Sequence, residues 1–461
     1  MNELFIKQFF SEKGELSQSI EDYRLRQEQV DISVLIDEAI TNKKKLIVEA
    51  GTGIGKTFAY LVPAFLSGGK IIISTATKNL QDQLFTKDIP MIRDALKVPV
   101  TLAMLKGRSN YLCHLRLENA MIEGAFMTKE DVTYLHLVNQ HAKHSIDGDR
   151  SELDTIPESS SIWPQVTSTK ENCLGQDCSF YKECFVMNAR KKALTADVTI
   201  VNHHLFFADL NMKEEGISEL LPKATTVIFD EAHQIPDIAS IFFGKNVSTA
   251  QISEIVQDGY QIYLKHMKDV SDFETILNDL EKANKDFRLV FPRESNRYPY
   301  QKISTFSRFD SAYENLIEKL KKLIQLLVHH KDRDTEIEKY FDSSNEILSN
   351  FDNWRDDKDN NSIKWVEVYS QSVQLNNTPL SIADMFAKHI NNELTSWIFT
   401  SATLAVKNNF DHFKNQLGLM DADSVSKESP FNYTEKALLF VPKAMPEANH
   451  ENFNLAVVNQ I

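Results

Sequence analysis

Short apolar runs recur along the chain and are separated by stretches with helical periodicity. The runs are continuously apolar rather than alternating, which is typical of strands buried on both faces of a parallel sheet. The predicted strands are residues 46–50, 70–74, 100–104, 198–201, 226–229 and 397–400. The pattern therefore predicts a doubly wound α/β core.

Two long segments interrupt this pattern and are interpreted as insertions. The first, residues 107–187, contains every cysteine of the chain and has no other visible core in its sequence. The second, residues 239–387, contains a predicted helix at 311–329 and a polar stretch at 352–361 that predicts a loop. The helix carries an apolar stripe that we expect to face a core: Leu316, Ile317, Leu320, Leu323, Ile324 and Leu327.

Composition narrows the class of protein. The chain has 461 residues, a net charge of −14 and four cysteines. No apolar run is long enough to span a bilayer, and the start lacks the pattern of a secretory signal, so we predict a cytoplasmic protein without a membrane partner. The negative charge argues against nucleic acid only on average, because binding depends on local patches. Basic residues flank the outermost cysteines: Lys106, Arg108, Arg116, Lys182, Arg190, Lys191 and Lys192.

Residues 50–57 (AGTGIGKT) form a phosphate-binding loop, because they follow a predicted strand and open a predicted helix. The glycines let backbone N–H groups approach phosphates at a helix N-terminus. Lys56 is predicted to contact the β- and γ-phosphates, and the Thr57 hydroxyl to ligate Mg²⁺. Ala50 replaces the first glycine of the strict pattern, which is tolerable if that residue still belongs to the strand.

A DEAH box, residues 230–233, follows the predicted strand 226–229. Carboxylates at this edge of a parallel sheet point into the ligand crevice. Asp230 is predicted to hold Mg²⁺ and Glu231 to polarise the attacking water. His233 is a candidate for coupling the nucleotide site to its neighbour, as are Ser401 and Thr403 beyond the last predicted strand. His203 and His204 are interpreted as structural residues at the sheet edge rather than as metal ligands.

The four cysteines predict a metal site. Cys113 is followed after 59 residues by Cys173, Cys178 and Cys184, whose short spacings let thiolates converge if the intervening chain loops. Four thiolates suit either a tetrahedral zinc ion or a [4Fe–4S] cluster. The spacing alone leaves both open, although the tight Cys-x2-Cys pair common in zinc sites is absent.

Seven motifs resemble, in this order, the DinG/YoaA branch of the XPD-like superfamily 2 iron–sulfur DNA helicases. They are RQEQ (26–29), EAGTGIGKT (49–57), STATKNLQDQL (74–84), LKGRSNYLC (105–113), VNHHL (201–205), DEAH (230–233) and TSATL (400–404). The resemblance implies a RecA-like P-loop domain with an inserted iron–sulfur domain and helical arch, and ATP-driven 5′→3′ translocation on single-stranded DNA. It favours the [4Fe–4S] cluster on the four cysteines, beside ATP and Mg²⁺.

The resemblance also implies site residues and boundaries. The candidate nucleotide residues are Arg26, Gln29 (as a reader of adenine), Gly51, Thr52, Gly53, Ile54, Gly55, Lys56, Thr57 and Asp230. The candidate DNA contacts are Thr75, Thr77, Gln81, Gln83, Lys106 and Arg108. We expect a first RecA-like domain at 1–106, 188–238 and 388–404, an iron–sulfur domain at 107–187, an arch at 239–387, and at 405–461 the start of a second RecA-like domain that is largely missing.

The expected function is an ATP-dependent DNA helicase of DNA repair or replication, acting on single-stranded and forked DNA, with replication or repair proteins as candidate partners. Because the second domain is expected to be incomplete, we expect this chain alone to bind nucleotide but to hydrolyse it poorly. Two alternatives stay open: a non-motor DNA- or partner-binding fragment, and a zinc-containing P-loop NTPase.

Overall fold

The structure is a computed structural model that describes residues 2–123, 129–170, 172–214, 220–303, 305–356, 362–442 and 445–460. The strands are β1 (Lys45–Ala50), β2 (Ile71–Thr75), β3 (Leu102–Met104), β4 (Val198–Asn202), β5 (Thr226–Asp230), β6 (Lys245–Ser248), β7 (Asn296–Pro299), β8 (Ser362–Val368), β9 (Val373–Pro379), β10 (Ser396–Ser401) and β11 (Asp423–Lys427). No helix in these ranges is long and apolar enough to cross a membrane.

The α-helices are α1 (Asn2–Phe9), α2 (Glu15–Ser19), α3 (Gln27–Thr41), α4 (Lys56–Ser67), α5 (Lys78–Gln83), α6 (Ile89–Leu96), α7 (His114–Glu123), α8 (Lys129–His144), α9 (Trp163–Val166), α10 (Phe185–Thr195), α11 (His203–Glu214), α12 (Ile235–Phe243), α13 (Thr249–His266), α14 (Phe273–Arg288), α15 (Tyr300–Ile303), α16 (Phe309–Val328), α17 (Thr335–Asp356), α18 (Ala383–Ile390), α19 (Asp411–Leu417), α20 (Tyr433–Lys436) and α21 (Phe453–Gln460). A π-helical turn spans Leu84–Asp88, and 3₁₀ turns span Arg108–Asn110, Arg150–Glu152, Gly175–Asp177, Ala232–Gln234 and Lys331–Arg333.

A seven-stranded parallel sheet forms the centre of the molecule, in the order β11-β1-β10-β5-β2-β4-β3. Every residue of β2, β5 and β10 is buried, as expected of strands covered on both faces. The α/β class and all six predicted strands are thus confirmed, with ends shifted by at most two residues. Since β1, β10 and β5 are neighbours, their carboxyl ends lie side by side.

The seventh strand, β11, was not predicted. It pairs with β1 from Leu46↔Asp423 to Ala50↔Lys427 and forms the edge of the sheet. Its sequence (DSVSK) is mostly polar because an edge strand is partly solvated, so it gives no apolar run. The first sheet therefore extends to Lys427, beyond the expected boundary at residue 404.

The first insertion has a hydrophobic core of its own, contrary to the expectation from sequence. Its buried members come from α7, α8, α9, α10 and the segments between them: Tyr111, Leu112, Leu117, Ala120, Leu135, Val138, Ala142, Ile156, Ile162, Trp163, Val166, Phe185 and Val186. These residues are scattered over some 75 positions without one strong stripe, which is why the pattern did not reveal them. The cysteines thus lie on a packed unit.

The second insertion combines helices with a four-stranded antiparallel sheet, in the order β6-β9-β8-β7, which was not predicted. The helix expected at 311–329 is confirmed as α16, and all six stripe residues are buried. The polar stretch predicted as a loop is helical up to Asp356, because α17 buries Phe351 and Trp354 on its inner face. Residues 357–361 of that prediction lie outside the described residues.

Candidate nucleotide and metal sites

The phosphate-binding loop connects β1 to α4. Ala50 is the buried last residue of β1, so the strand accounts for the alanine that replaces glycine. Gly53 and Gly55 have φ of +87° and +88°, where L side chains are strained. A Cβ on Gly55 would also lie 2.2 Å from Nε2 of Gln29. The 12-residue helix α4 begins at Lys56, so its N-terminal N–H groups face the loop.

An ion pair joins the loop to the DEAH box. Nζ of Lys56 lies 3.2 Å from Oε1 of Glu231, although the two residues are 175 positions apart in sequence. The pair spans the edge formed by β1, β10 and β5. Glu231 therefore pairs with the lysine that would neutralise phosphate charge at such a loop.

Asp230 is buried at the end of β5 and is suited to a cation. Its Oδ2 accepts a hydrogen bond of 3.5 Å from the Tyr60 hydroxyl, which also bonds the side chain of Thr57. Its Oδ1 is buried and has no hydrogen-bond partner among the residues that the structure describes. Burial, followed by the charge of Glu231, raises the pKa of Asp230 to about 7. A buried carboxylate with a free acceptor and a nearby threonine hydroxyl fits a Mg²⁺ site.

Glu231 connects the loop to the candidate coupling residues. Its backbone is in the left-handed region with φ of 56°, a strained conformation that recurs at functional sites. Its Oε2 accepts a hydrogen bond of 3.3 Å from Ser401 and lies 3.4 Å from Nδ1 of His233. Ser401 and His233 are themselves 2.9 Å apart, and the backbone N–H of Thr403 contacts the Ser401 hydroxyl at 3.5 Å. The candidate coupling residues His233 and Ser401 thus contact the Glu231 carboxylate, and Thr403 contacts Ser401; their roles stay predictions.

Arg26 and Gln29 lie beside the loop at the start of α3. Gln29 is buried and donates from Nε2 to the carbonyl of Gly55 at 2.9 Å. Nη1 of Arg26 comes within 3.5 Å of the position of a Cβ on Gly55. Ile54 is fully buried beneath the loop, whereas Thr52 is exposed. Adenine recognition by Gln29 stays a prediction.

Glu49 is a structural anchor that sequence reasoning did not single out. Its Oε2 accepts the N–H groups of Leu404 and Ala405, both at 2.6 Å, and its Oε1 accepts the hydroxyl of Ser426 at 2.9 Å. Burial raises the pKa of Glu49, but the hydrogen bonds from Ala405, Leu404 and Ser426 outweigh it, and the net pKa is lowered. The ionised carboxylate of Glu49, on β1, is thus hydrogen-bonded to the segment that follows β10 and to Ser426 within β11. A charged residue inside an apolar strand was the available signal.

A buried histidine and a buried serine side chain contact each other at the carboxyl ends of β2 and β4. His203 is fully buried, and its Nδ1 lies 2.7 Å from Oγ of Ser74. Burial lowers the pKa of His203 to about 3, so the ring is neutral at physiological pH. The burial of His203 and its contact with Ser74 support a structural role, which for His203 and His204 stays a prediction.

The four cysteines are free thiols on the same insertion. Cys113 precedes α7, Cys184 is the residue before α10, and Cys173 and Cys178 flank the turn Gly175–Asp177. Burial raises the pKa of Cys113 to about 11, and the charges of Cys173 and Cys178 contribute to the rise. Burial also raises the pKa of Cys178, and the charges of Cys173 and Cys184 contribute to the rise. The four thiols lie on one insertion and influence one another's pKa, but among the described residues their sulfurs do not converge within 4.8 Å as a set of metal ligands; their donor chemistry fits a metal or cluster that takes thiolates.

Cations near the cysteines are mostly paired. Nζ of Lys106 is buried and lies 2.7 Å from Asp149 and 2.9 Å from Asp82. Arg116 pairs with Asp258 of α13 at 2.7 Å, and Lys192 pairs with Asp147. Burial lowers the pKa of Arg190, as does the charge of Arg108. The positive patch expected at the cysteines is therefore partly neutralised by carboxylates.

The remaining candidate DNA contacts differ in exposure. Thr75 and Gln81 are fully buried. Thr77 is exposed and caps α5, its hydroxyl accepting the N–H of Leu80 at 3.3 Å. Gln83 is exposed and bonds Asp88 at 3.0 Å, and Arg108 reaches the carbonyl of Thr169 at 3.4 Å. DNA contact by these residues stays a prediction.

Comparisons with known proteins identify relatives of this chain. The family model of the DEAD/DEAH box helicases matches residues 33–148. The ATP-dependent DNA helicase YoaA of Haemophilus influenzae is 42% identical over 448 residues, which are 97% of this chain and 70% of that protein. The YoaA helicase of Escherichia coli K12 is 38% identical over 440 residues, 95% of this chain and 69% of that protein. Among solved structures, a chain named Truncated XPD is 16% identical, has a TM-score of 0.43, and matches over 86% of this chain and 99% of its own length. The identity to the two YoaA proteins over almost the whole chain shows that this chain belongs to the YoaA family of ATP-dependent DNA helicases.

Proposed function

We propose that the chain couples ATP hydrolysis to 5′→3′ translocation on single-stranded DNA and to unwinding of forked DNA. The observation that carries the proposal is the contact between Lys56 and Glu231, with the free acceptor of Asp230 beside it. A phosphate loop, a cation, a candidate base and a carboxylate with a free acceptor atom thus meet at one sheet edge. This is the minimum arrangement that phosphoryl transfer to water requires.

Each residue has a proposed step. The N–H groups at the start of α4 bind phosphate oxygens, and Lys56 leaves Glu231 to contact the β- and γ-phosphates. Thr57 and Asp230 would hold Mg²⁺, which neutralises developing charge on the phosphates when it is bound. Glu231, released from Lys56, orients the attacking water and accepts its proton.

His233 and Ser401 are proposed to report the state of the nucleotide. Both touch Glu231, so the exchange of its partner from Lys56 to water changes their hydrogen bonds. Ser401 ends β10 and is followed by the segment that Glu49 anchors. A change in the hydrogen bonds of Glu231 would thereby alter the segment that follows β10.

The cysteines are proposed to hold a [4Fe–4S] cluster rather than zinc. Four thiols on one insertion and the absence of a Cys-x2-Cys pair support the cluster. Anaerobically purified protein should be brown, with about four iron and four sulfide per chain by colorimetric assay. A colourless protein with one zinc would support the zinc-containing NTPase instead.

The other sequence predictions complete the proposal. We propose a motor unit that extends to Lys427, a cysteine unit at 107–187 and an arch at 239–387. The exposed Thr77 and Gln83 and the half-buried Arg108 are the favoured DNA contacts, whereas Thr75, Gln81 and Lys106 would act by holding them. Free thiols support a cytoplasmic location. Replication or repair proteins are proposed as partners.

The test of the motor compares Lys56→Ala with the exposed control Lys87→Ala. Nucleotide affinity, DNA-stimulated ATP hydrolysis and unwinding of forks with one 5′ or one 3′ single-stranded arm are measured. We expect Lys56→Ala to lower hydrolysis, already poor in this chain alone, by at least about 100-fold and the control to match the parent, with any unwinding confined to the 5′ arm. DNA binding in both proteins together with nucleotide affinity and hydrolysis that do not differ between Lys56→Ala and the parent would indicate a non-motor clamp.

A further inference from the structure

Residues 429–433 (SPFNY) follow β11 and lie against the phosphate-binding loop. The Ser429 hydroxyl donates to the carbonyl of Thr52 at 2.7 Å, and the hydroxyls of Thr52 and Tyr433 are 2.6 Å apart. Tyr433 also bonds Ser429 at 3.1 Å. The ring of Phe431 covers Gly53 so closely that a Cβ there would lie 2.1 Å from it. Residues distant in sequence by about 380 positions thus hold two successive loop residues.

The hydrogen bonds of Ser429 and Tyr433 use none of the backbone N–H groups of the loop. Phosphates bind the backbone N–H groups of such loops. Ser429 and Tyr433 instead use the carbonyl oxygen and the hydroxyl of Thr52, neither of which is an N–H group. Segment 429–433 therefore contacts the carbonyl and hydroxyl oxygens of Thr52, whereas phosphates would bind backbone N–H groups of the loop.

The base of this segment is fixed to the motor sheet. The N–H of Gly51 donates to the carbonyl of Lys427 at 3.0 Å. Nζ of Lys427 pairs with Asp31 of α3 at 2.7 Å, and Ser426 bonds Glu49. With its start held at three points, the segment places Phe431 and Tyr433 over the loop without needing a partner.

We propose that residues 429–433 are a positioning clamp that presets the phosphate loop for nucleotide. The inference rests on the proposed nucleotide site and adds Ser429, Phe431 and Tyr433 to it. Gly53 and Gly55 make the loop intrinsically free to adopt many conformations, and ordering it on binding would weaken affinity. The clamp removes part of that freedom beforehand. It acts on binding rather than on the chemical step.

The test measures the Kd of ribose-labelled fluorescent ADP by anisotropy for the full chain and three variants. Tyr433→Phe removes one hydroxyl and Phe431→Ala removes the ring over Gly53. Each should raise Kd by about 3- to 10-fold, the loss that one net hydrogen bond or small contact produces. Phe440→Ala, an exposed aromatic of the same trailing segment, is the matched control and should leave Kd unchanged. Tyr433 is 52% exposed, so its variant should keep the melting temperature of the parent.

A second readout separates positioning from general structure. Amide hydrogen exchange at residues 52–56 in the nucleotide-free chain should be faster in Tyr433→Phe than in the parent, and the maximal rate of hydrolysis should be unchanged while KM rises. Unchanged or tighter binding in both variants would overturn the clamp and leave the nucleotide site intact. Failure of the parent to bind ADP would overturn both.

Discussion

The nucleotide site and the cysteine site are built on different principles. Lys56, Glu231 and Ser401 come from three strand ends that the sheet order makes neighbours, so their meeting is a consequence of topology. Three of the four cysteines instead lie within twelve residues of loop and turn, and the fourth, Cys113, immediately precedes α7, a helix of the insertion's core. The sheet order thus places the residues of the nucleotide site together, whereas the positions of the cysteines depend on loops and turns.

The two sites also differ in charge. Lys56 and Glu231 neutralise each other's charge. At the cysteines, burial raises the pKa of Cys113 to about 11, so loss of its proton would require a bound metal. The charges of the nucleotide site therefore compensate one another within the protein, whereas thiolates at the cysteines would depend on a bound cation. The independence of the two sites can be tested from both sides.

Glu231→Gln should produce the largest effect, confined to the nucleotide site. Loss of the proposed base should lower the rate of ATP hydrolysis by about 10²- to 10⁴-fold. Nucleotide binding and iron content should persist, because the amide keeps the shape of the side chain. Steady-state hydrolysis, labelled-ADP binding and an iron assay check this, with exposed Glu393→Gln as control. Hydrolysis near the parent rate would remove Glu231 from the proposed mechanism.

Cys178→Ser should affect the other site and spare the first. Removing one ligand should lower metal affinity by more than the about 10- to 100-fold that loss of an outer-shell partner costs. The visible absorption and the iron content should fall together, while the Kd of labelled ADP stays at the parent value. Ser179→Ala, exposed and adjacent, is the control. A parallel loss of ADP binding would show that the two sites are not independent.

Asp230→Asn should stabilise the protein at high pH. The folded carboxyl has a pKa of about 7 and the unfolded one an ordinary pKa near 3.8, so ionisation progressively destabilises the fold as pH rises between these values. A neutral amide avoids that cost. We expect a gain in unfolding free energy of about 1–3 kcal/mol at pH 8 that shrinks toward pH 5.

Urea denaturation without Mg²⁺ or nucleotide at both pH values measures this gain. Exposed Asp237→Asn should show no comparable change with pH. A variant less stable than the parent at pH 8 would contradict the proposed strain at Asp230.

His203→Gln should have the smallest effect, on the slope of stability against pH. The folded ring, with a pKa of about 3, stays neutral while the unfolded ring, near 6.5, binds a proton, so the parent loses stability as pH falls from 6.5 toward 3. The variant should lose up to about 1.4 kcal/mol less per pH unit in this window. Urea midpoints at pH 4.5, 5.5 and 6.5 measure the slope, with exposed His412→Gln as control. Equal slopes would mean that His203 is protonated in the folded state.

Sequence predicted the features that the sheet dictates. Continuous apolar runs identified β1, β2, β3, β4, β5 and β10, and motifs at their ends located Lys56, Asp230 and Glu231. The edge strand β11 was missed because it is polar, and β8 and β9 because partly buried antiparallel strands of an insertion look like loops or helix ends between long helices. Lys106 shows the limit of reading charge from sequence, since Asp82 and Asp149 that neutralise it lie 24 and 43 positions away.

The pairing of β6 with β9 brings the two ends of the second insertion together. Lys245 lies opposite Asn377 in this antiparallel pair, so the chain enters and leaves through adjacent strands about 5 Å apart. Modules with close termini are readily exchanged between hosts. The arch could be cut out at β6 and β9 and closed with a short turn, or replaced by one from a relative, without moving the strands that carry the nucleotide site. The close ends of the second insertion therefore allow its removal or exchange.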